Sequence, residues 1–208
     1  MAPEDPTCVA AAHLRAVAIG ASAGGVDALG ALLPGLPAGF PLPVLVVLHL
    51  PPQRPSQLAA MFNARCAVDV HEAQDKEPIR PGTVYFAPPD YHLLVEPDFT
   101  LALSVDPPVL YSRPAIDVLF ESASAAYAEG LLAIVLTGAS HDGAAGLAAV
   151  RRAGGTAWVQ QPASAASPVM PAAALRAAGA DATYTLSEMG KLLATLAESA
   201  PPAHGRLN

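Results

Sequence analysis

Residues 15–34 read RAVAIGASAGGVDALGALLP. The run LRAVAIG at 14–20 is apolar apart from Arg15 and ends in glycine. An unbroken apolar run of strand length marks a strand covered on both faces, as in a parallel sheet. A helix is predicted over 24–33, after the glycines. A strand, a tight turn and a helix make the opening unit of an α/β fold. The turn carries Gly20-Ala21-Ser22-Ala23-Gly24, which fits Gly-x-Ser-x-Gly, the pattern of a nucleophile elbow. Two other readings of Ser22 stand beside it. A glycine-rich helix N-terminus can hold a phosphate, and a serine before a helix is commonly its cap.

The same unit recurs along the chain. VLVVLHL (44–50) is a second buried strand, stopped by Pro51-Pro52. PSQLAAMFNARC (55–66) reads as helix with proline in its first turn, and AVDVHEA (67–73) as a third strand. Three short β-like pieces over 82–105, separated by Pro-Pro-Asp and Glu-Pro-Asp turns, predict a small antiparallel meander inserted into the pattern. A helix is predicted over 113–130, a strand at LLAIVLTG (131–138) and a helix over 142–155. TAWVQ (156–160), a helix near 170–178, ATYTL (182–186) and a helix near 187–198 complete the series. This alternation predicts a three-layer α/β/α fold, with a mainly parallel sheet in a doubly wound arrangement. Residues 1–13 read as a flexible leader, 14–198 as one catalytic domain and 199–208 as a flexible tail.

Bulk properties exclude several function classes. The chain of 208 residues is 52% hydrophobic and 14% charged, enough apolar material for a large core. A net charge of −7 without a Lys/Arg run argues against nucleic-acid binding. Cys8 and Cys66 form neither a metal-binding spacing nor a disulfide framework. The acidic N-terminus is not a secretory signal, and the longest apolar runs are far shorter than a membrane span. The expectation is a cytoplasmic protein with no cofactor, no metal and no membrane insertion.

Sites in open α/β sheets form at the carboxyl ends of the strands. Three polar residues follow buried runs there: Ser22 after VAIG, His49 ending VLVVL, and Asp142 after IVLTGASH. A hydroxyl, an imidazole and a carboxylate are the parts of an activated serine nucleophile. The imidazole takes the hydroxyl proton, and the carboxylate fixes its tautomer and stabilises the imidazolium. Helix N–H groups beside the serine can hold the oxyanion. Taken singly, Ser22 and Asp142 are also ordinary helix caps, and His49 is also an ordinary core histidine; the residues alone leave both readings open. His71 and His92 lie in the strand-rich middle, His141 adjoins Asp142, and His13 and His204 lie near the termini.

The chain order Ser22, His49, Asp142 differs from that of α/β-hydrolases, where the acid precedes the histidine. Gly20-x-x-x-Gly24-Gly25 is not the dinucleotide fingerprint, and the second strand ends in His49 rather than an acid. TGASHDGAAG lacks the Gly-Lys-Ser/Thr of a Walker A loop.

Six segments occur in order: AIGASAGG (18–25), VLVVLHLPP (44–52), EAQDKEPIRPGTVYFAPPDYHLLV (72–95), RPAIDVLFESA (113–123), VLTGASHDGAAGLAAVRRAGG (135–155) and PASAASPVMPAAAL (162–175). Together they resemble the catalytic domain of the bacterial chemoreceptor glutamate methylesterases, the CheB family, over roughly residues 14–198. The resemblance implies hydrolysis of glutamate methyl esters on the cytoplasmic helices of methyl-accepting chemotaxis receptors, with deamidation of receptor glutamines as a related activity. It assigns Ser22 as nucleophile, His49 as general base and acid, and Asp142 as the orienting acid. The backbone N–H of Ala139, with that of Ala23 beside the serine, would form the oxyanion hole. Ala23 stands where the family often has Thr, and Ala139 where it often has Met; a backbone donor tolerates the second change. Familiar members carry an N-terminal receiver domain, whereas the first catalytic strand here starts near residue 14. The expectation is a catalytic domain lacking the receiver, without phosphorylation control in cis, and answering to a separate receiver or regulatory protein. The competing readings are a catalytically silent module of a chemosensory array, and an esterase or deamidase for another signalling protein.

Overall fold

The computed structural model describes residues 13–49 and 57–197. The predicted leader, apart from His13, lies outside them, as do the predicted tail over 199–208 and the Leu-Pro-Pro after His49.

Strand β1 (Ala16–Ala21) is buried at every residue. Val17, Ile19 and Ala21 enter one apolar layer, and Ala16 and Ala18 enter the other. This two-sided burial is the property its unbroken apolar run predicts. Six more strands join it: β2 (Val44–Leu48), β3 (Asp69–Glu72), β4 (Thr83–Phe86), β7 (Leu131–Val135), β8 (Thr156–Gln160) and β9 (Ala182–Tyr184). Their order is β3-β4-β2-β1-β7-β8-β9, and every pairing is parallel. β5 (His92–Val95) and β6 (Leu101–Ser104) form a separate antiparallel pair.

Helices cover both faces. On one side, Leu29 and Leu32 of α1 (Gly25–Leu32) pack with Phe62 of α2 (Leu58–Asn63) and with Met189 and Leu193 of α6 (Leu186–Thr195). On the other lie Ile116, Leu119 and Phe120 of α3 (Ile116–Tyr127), Leu147 and Val150 of α4 (Ala144–Arg152), and Met170 and Ala174 of α5 (Val169–Ala177). The three-layer, doubly wound α/β/α fold is therefore present. Among the described residues, no helix is long and apolar enough to cross a membrane.

One expectation is corrected. The first of the three β-like pieces over 82–105 is not part of an antiparallel meander. It is β4, which lies between β2 and β3 in the main sheet. Its four residues are all buried, with Tyr85 in one layer and Phe86 in the other. A segment apolar on both faces belongs inside a covered sheet. Of the three pieces, the second and third are β5 and β6, which pair antiparallel, and Leu93, Val95 and Leu101 turn one face of that hairpin onto the α3 side of the core.

After β1 the chain builds β2, β4 and β3 on one side, then returns to place β7 on the other. The direction of winding thus reverses between β1 and β7, and a crevice opens beyond their carboxyl ends. Close approach of α3 and α4 is set by glycine. A Cβ on Gly146 would lie 2.7 Å from the Phe120 Cβ and 2.9 Å from the Asp117 Cα. Backbone cannot yield as a flexible side-chain end can. Gly146→Ala is expected to lower stability by about 1–3 kcal/mol, read as a reduced urea midpoint with an unchanged m-value.

Candidate active site

Ser22 stands one residue beyond β1, facing the end of β7. Its N–H donates to the Thr137 carbonyl at 3.0 Å, and the Ser22 carbonyl accepts from the Gly25 N–H at 2.7 Å. The turn needs Gly24, whose φ is +78°. It also needs Gly138, where a Cβ would come within 2.9 Å of the Ser22 Cβ. Thr137 locks the two turns together: its hydroxyl donates to the Ala23 carbonyl at 2.9 Å, and its N–H donates to the buried Gln160 Oε1 at 2.8 Å. Ser22 does not cap α1. Gly24 holds the cap position, and no side chain bonds there. The N–H groups of Ala23 and Ala139 donate to no group among the described residues.

His49 continues β2, and its N–H donates to the Ala21 carbonyl at 3.0 Å. Its Nε2 lies 2.8 Å from Asp142 Oδ2. Asp142 is completely buried. Its carboxylate also accepts from the N–H groups of Ile116 at 2.6 Å, Asp117 at 2.9 Å and Gly143 at 2.9 Å. The first two are orphan donors of the α3 N-terminus, where no intrahelical acceptor exists. Asp142 therefore caps a helix, but that helix is α3 rather than the α4 it precedes. Backbone donors and the positive end of α3 hold its charge in place. With Nε2–H donating to Asp142, the neutral imidazole keeps Nδ1 as its acceptor.

The predicted trio is thus brought together in part. His49 and Asp142 meet. Among the described residues, the Ser22 hydroxyl makes no hydrogen bond, and His49 Nδ1 faces Ser112 Oγ at 3.4 Å instead. A contact between nucleophile and base commonly tightens only with substrate in place. No other described histidine bonds to this pair. His71 lies between Asp69 at 3.1 Å and Glu77 at 2.8 Å. His92 is buried, accepting from the Ala115 N–H and donating to the Pro107 carbonyl. The His141 carbonyl accepts from the Ala144 N–H. Among the described residues no group of three or more His, Cys, Asp or Glu could hold a metal ion. A cavity of about 170 Å³ adjoins His49, with Asp90, Pro108, Ser112 and Arg113 in its wall.

Reading the residues as a sequence missed two members of this site, Ser112 and Asp117. Asp117, on α3, accepts from the Gly146 N–H at 2.6 Å in the first turn of α4. Each of the two helices thus has its N-terminus held by an aspartate belonging to the other segment. The available signal was Asp117 within Arg-Pro-x-x-Asp together with the Gly143-x-x-Gly146 spacing, both of which pair a donor helix end with a close approach. Burial pushes the Asp117 carboxyl up to about 6, the Gly146 N–H opposes that rise, and the neighbouring Asp142 charge adds to it. Asp117 therefore binds its proton more tightly in the folded chain than in the unfolded one. Its contribution to stability falls as pH rises from about 4 through about 6. Asp117→Asn keeps an acceptor for Gly146 without the titration. Relative to wild type, this variant is expected to gain stability as pH rises from about 5 to about 7, measured by urea unfolding at both pH values.

The comparisons with known proteins cover the same stretch of chain. The CheB methylesterase family model matches residues 17–193. A Leptospira interrogans relative is 40% identical over 184 residues, covering 88% of this chain and 95% of its own. The protein-glutamate methylesterase/protein-glutamine glutaminase of Nocardioides sp. is 42% identical over 191 residues, and this chain spans 52% of its length. The crystal structure of the Thermotoga maritima CheB methylesterase catalytic domain superposes with a TM-score of 0.83 at 31% identity, covering 88% of this chain and 98% of that one. With the family model matching residues 17–193 and the fold shared with a solved catalytic domain of the family, this chain belongs to the CheB methylesterase family.

Proposed function

We propose that this chain hydrolyses glutamate γ-methyl esters on the cytoplasmic helices of chemoreceptors, with Ser22 as nucleophile, His49 as general base and acid, and Asp142 as the orienting carboxylate. The observation that carries the reading is the 2.8 Å contact between His49 and a fully buried Asp142, beside the turn that bears Ser22. A buried, paired carboxylate is what an imidazole needs to stay in one tautomer with its other nitrogen ready to accept a proton. Residues 14–198 act as the catalytic unit, working in the cytoplasm.

The proposed steps use these groups in turn. The Ser22 oxygen attacks the ester carbonyl while His49 Nδ1 takes its proton. The carbonyl oxygen becomes an oxyanion facing the N–H groups of Ala23 and Ala139, which have no other partner among the described residues. Collapse breaks the bond to the methoxy oxygen, His49 returns its proton to that oxygen, and methanol departs. Water, deprotonated by His49, then attacks the acyl-serine and releases glutamate with the Ser22 hydroxyl restored. A glutamine side chain follows the same route with ammonia leaving, which extends the proposal to deamidation. Asp142 stays ionised throughout and stabilises the imidazolium as it forms.

Ser22→Ala is expected to abolish methanol release from methylated receptor and to leave thermal unfolding intact. Asp142→Asn is expected to lower kcat by about 10³–10⁴-fold, since the amide favours the wrong imidazole tautomer. Methanol release by Ser22→Ala at the wild-type rate would remove Ser22 from the mechanism. Mass spectrometry of the treated receptor separates ester loss from deamidation.

A further inference from the structure

A two-residue hairpin turn projects beside the active site. The Val109 N–H donates to the Ser112 carbonyl at 3.1 Å, and the Ser112 N–H donates to the Val109 carbonyl at 2.9 Å. The central residues, Leu110 and Tyr111, both have positive φ, 47° and 65°. Turns of this kind favour Asn-Gly, because larger side chains crowd a left-handed backbone. Here both positions carry large apolar side chains, and both project outward: Leu110 is 49% exposed and Tyr111 fully exposed. Strained backbone and apolar exposure each count against the isolated fold, and here they coincide at a site rim.

The turn is also rigidly mounted. Arg113 Nη1 donates to the Val105 and Asp106 carbonyls at 2.9 and 3.1 Å, closing the base of the segment. Buried His92 ties Pro107 to Ala115 across the same base. Ser112, the last residue of the turn, reaches to 3.4 Å from His49 Nδ1. The tip therefore keeps a fixed place relative to the base that must meet the scissile ester. Tyr111 and Ser112 also line the cavity that adjoins His49, so a polypeptide whose glutamate side chain enters that cavity meets the tip and its apolar groups.

We infer that Leu110 and Tyr111 form a docking tip for the protein substrate, packing against apolar side chains about one helical turn from the modified glutamate. The inference rests on the proposed esterase function and deepens it: the tip makes the enzyme favour a helical protein ester over a small free ester. Its occupant is the substrate helix, because the tip belongs to the wall of the cavity beside His49 rather than to a surface remote from it.

The test is the double variant L110N/Y111G, which supplies the residues this turn prefers and removes both side chains. The measured quantity is kcat/KM on a methylated receptor fragment divided by kcat/KM on p-nitrophenyl acetate. The ratio is expected to fall at least about tenfold, equivalent to about 1.4 kcal/mol of lost protein-substrate contact. The single variant Leu110→Asn is expected to lower it less, in the same direction. A ratio within twofold of wild type overturns the inference, whether the two rates hold or fall together. A concentration-dependent dimer abolished by the double variant, with the ratio unchanged, would assign the tip to a second copy of the chain instead. Loss of the tip leaves Ser22-dependent hydrolysis of the small ester detectable, so failure here is distinct from failure of the esterase reading, in which Ser22→Ala retains both activities.

Discussion

An ionised carboxylate out of contact with water is among the most costly groups a fold can contain unless it is paired and hydrogen-bonded. Asp142 is completely buried, and its two oxygens accept from three backbone N–H groups and from His49. Two of those donors belong to the first turn of α3, so the residue that orients the histidine also completes a helix on another part of the chain. Asp117 returns the interaction by accepting from the α4 turn that follows Asp142. Displacing either helix would uncover a buried charge, which makes the site geometry and the packing of the α3–α4 layer one and the same constraint.

That packing depends on what is absent as much as on what is present. Gly146 lets the α3 backbone pass close to α4, and a Cβ on Gly20 would collide with Ile116 where α3 crosses β1. Gly138 leaves room for Ser22 at the end of β7. These glycines lie at the α3–α4 contact, on β1 beneath α3, and at the β1–β7 crevice. The small residues that make the sequence look featureless bring two strands and two helices near enough for their backbone N–H groups to serve one site.

Much of this was legible from the residues. The unbroken apolar runs of β1, β2 and β7 foretold strands covered on both faces, because burial on two sides leaves no position for a polar residue. The polar residues at the ends of the runs were legible for the complementary reason: they are the first positions beyond the covered part of the sheet. β4 was misread. TVYF is four residues long and bounded by proline-rich turns like its neighbours, and nothing local distinguishes a strand that enters the main sheet from one that pairs with the next hairpin. Ser112 was missed because its role comes from a long-range contact with His49 that no local pattern carries, and Asp117 because its Arg-Pro-x-x-Asp setting and the Gly143-x-x-Gly146 spacing do not say which helix end it meets.

The sequence by itself determined the fold class, the six ordered segments that place the chain in its family, and the candidate residues Ser22, His49 and Asp142. Periodicity and the position of glycine act over a few neighbouring residues, so they can be read one segment at a time. The tertiary structure decided that Asp142 caps α3 rather than α4, that Gly24 and not Ser22 holds the α1 cap position, and that His49 turns Nε2 to the acid and Nδ1 toward Ser112. Those choices depend on which donor lies nearest a given acceptor after the helices have docked, and the docking is fixed by packing between residues far apart in the chain.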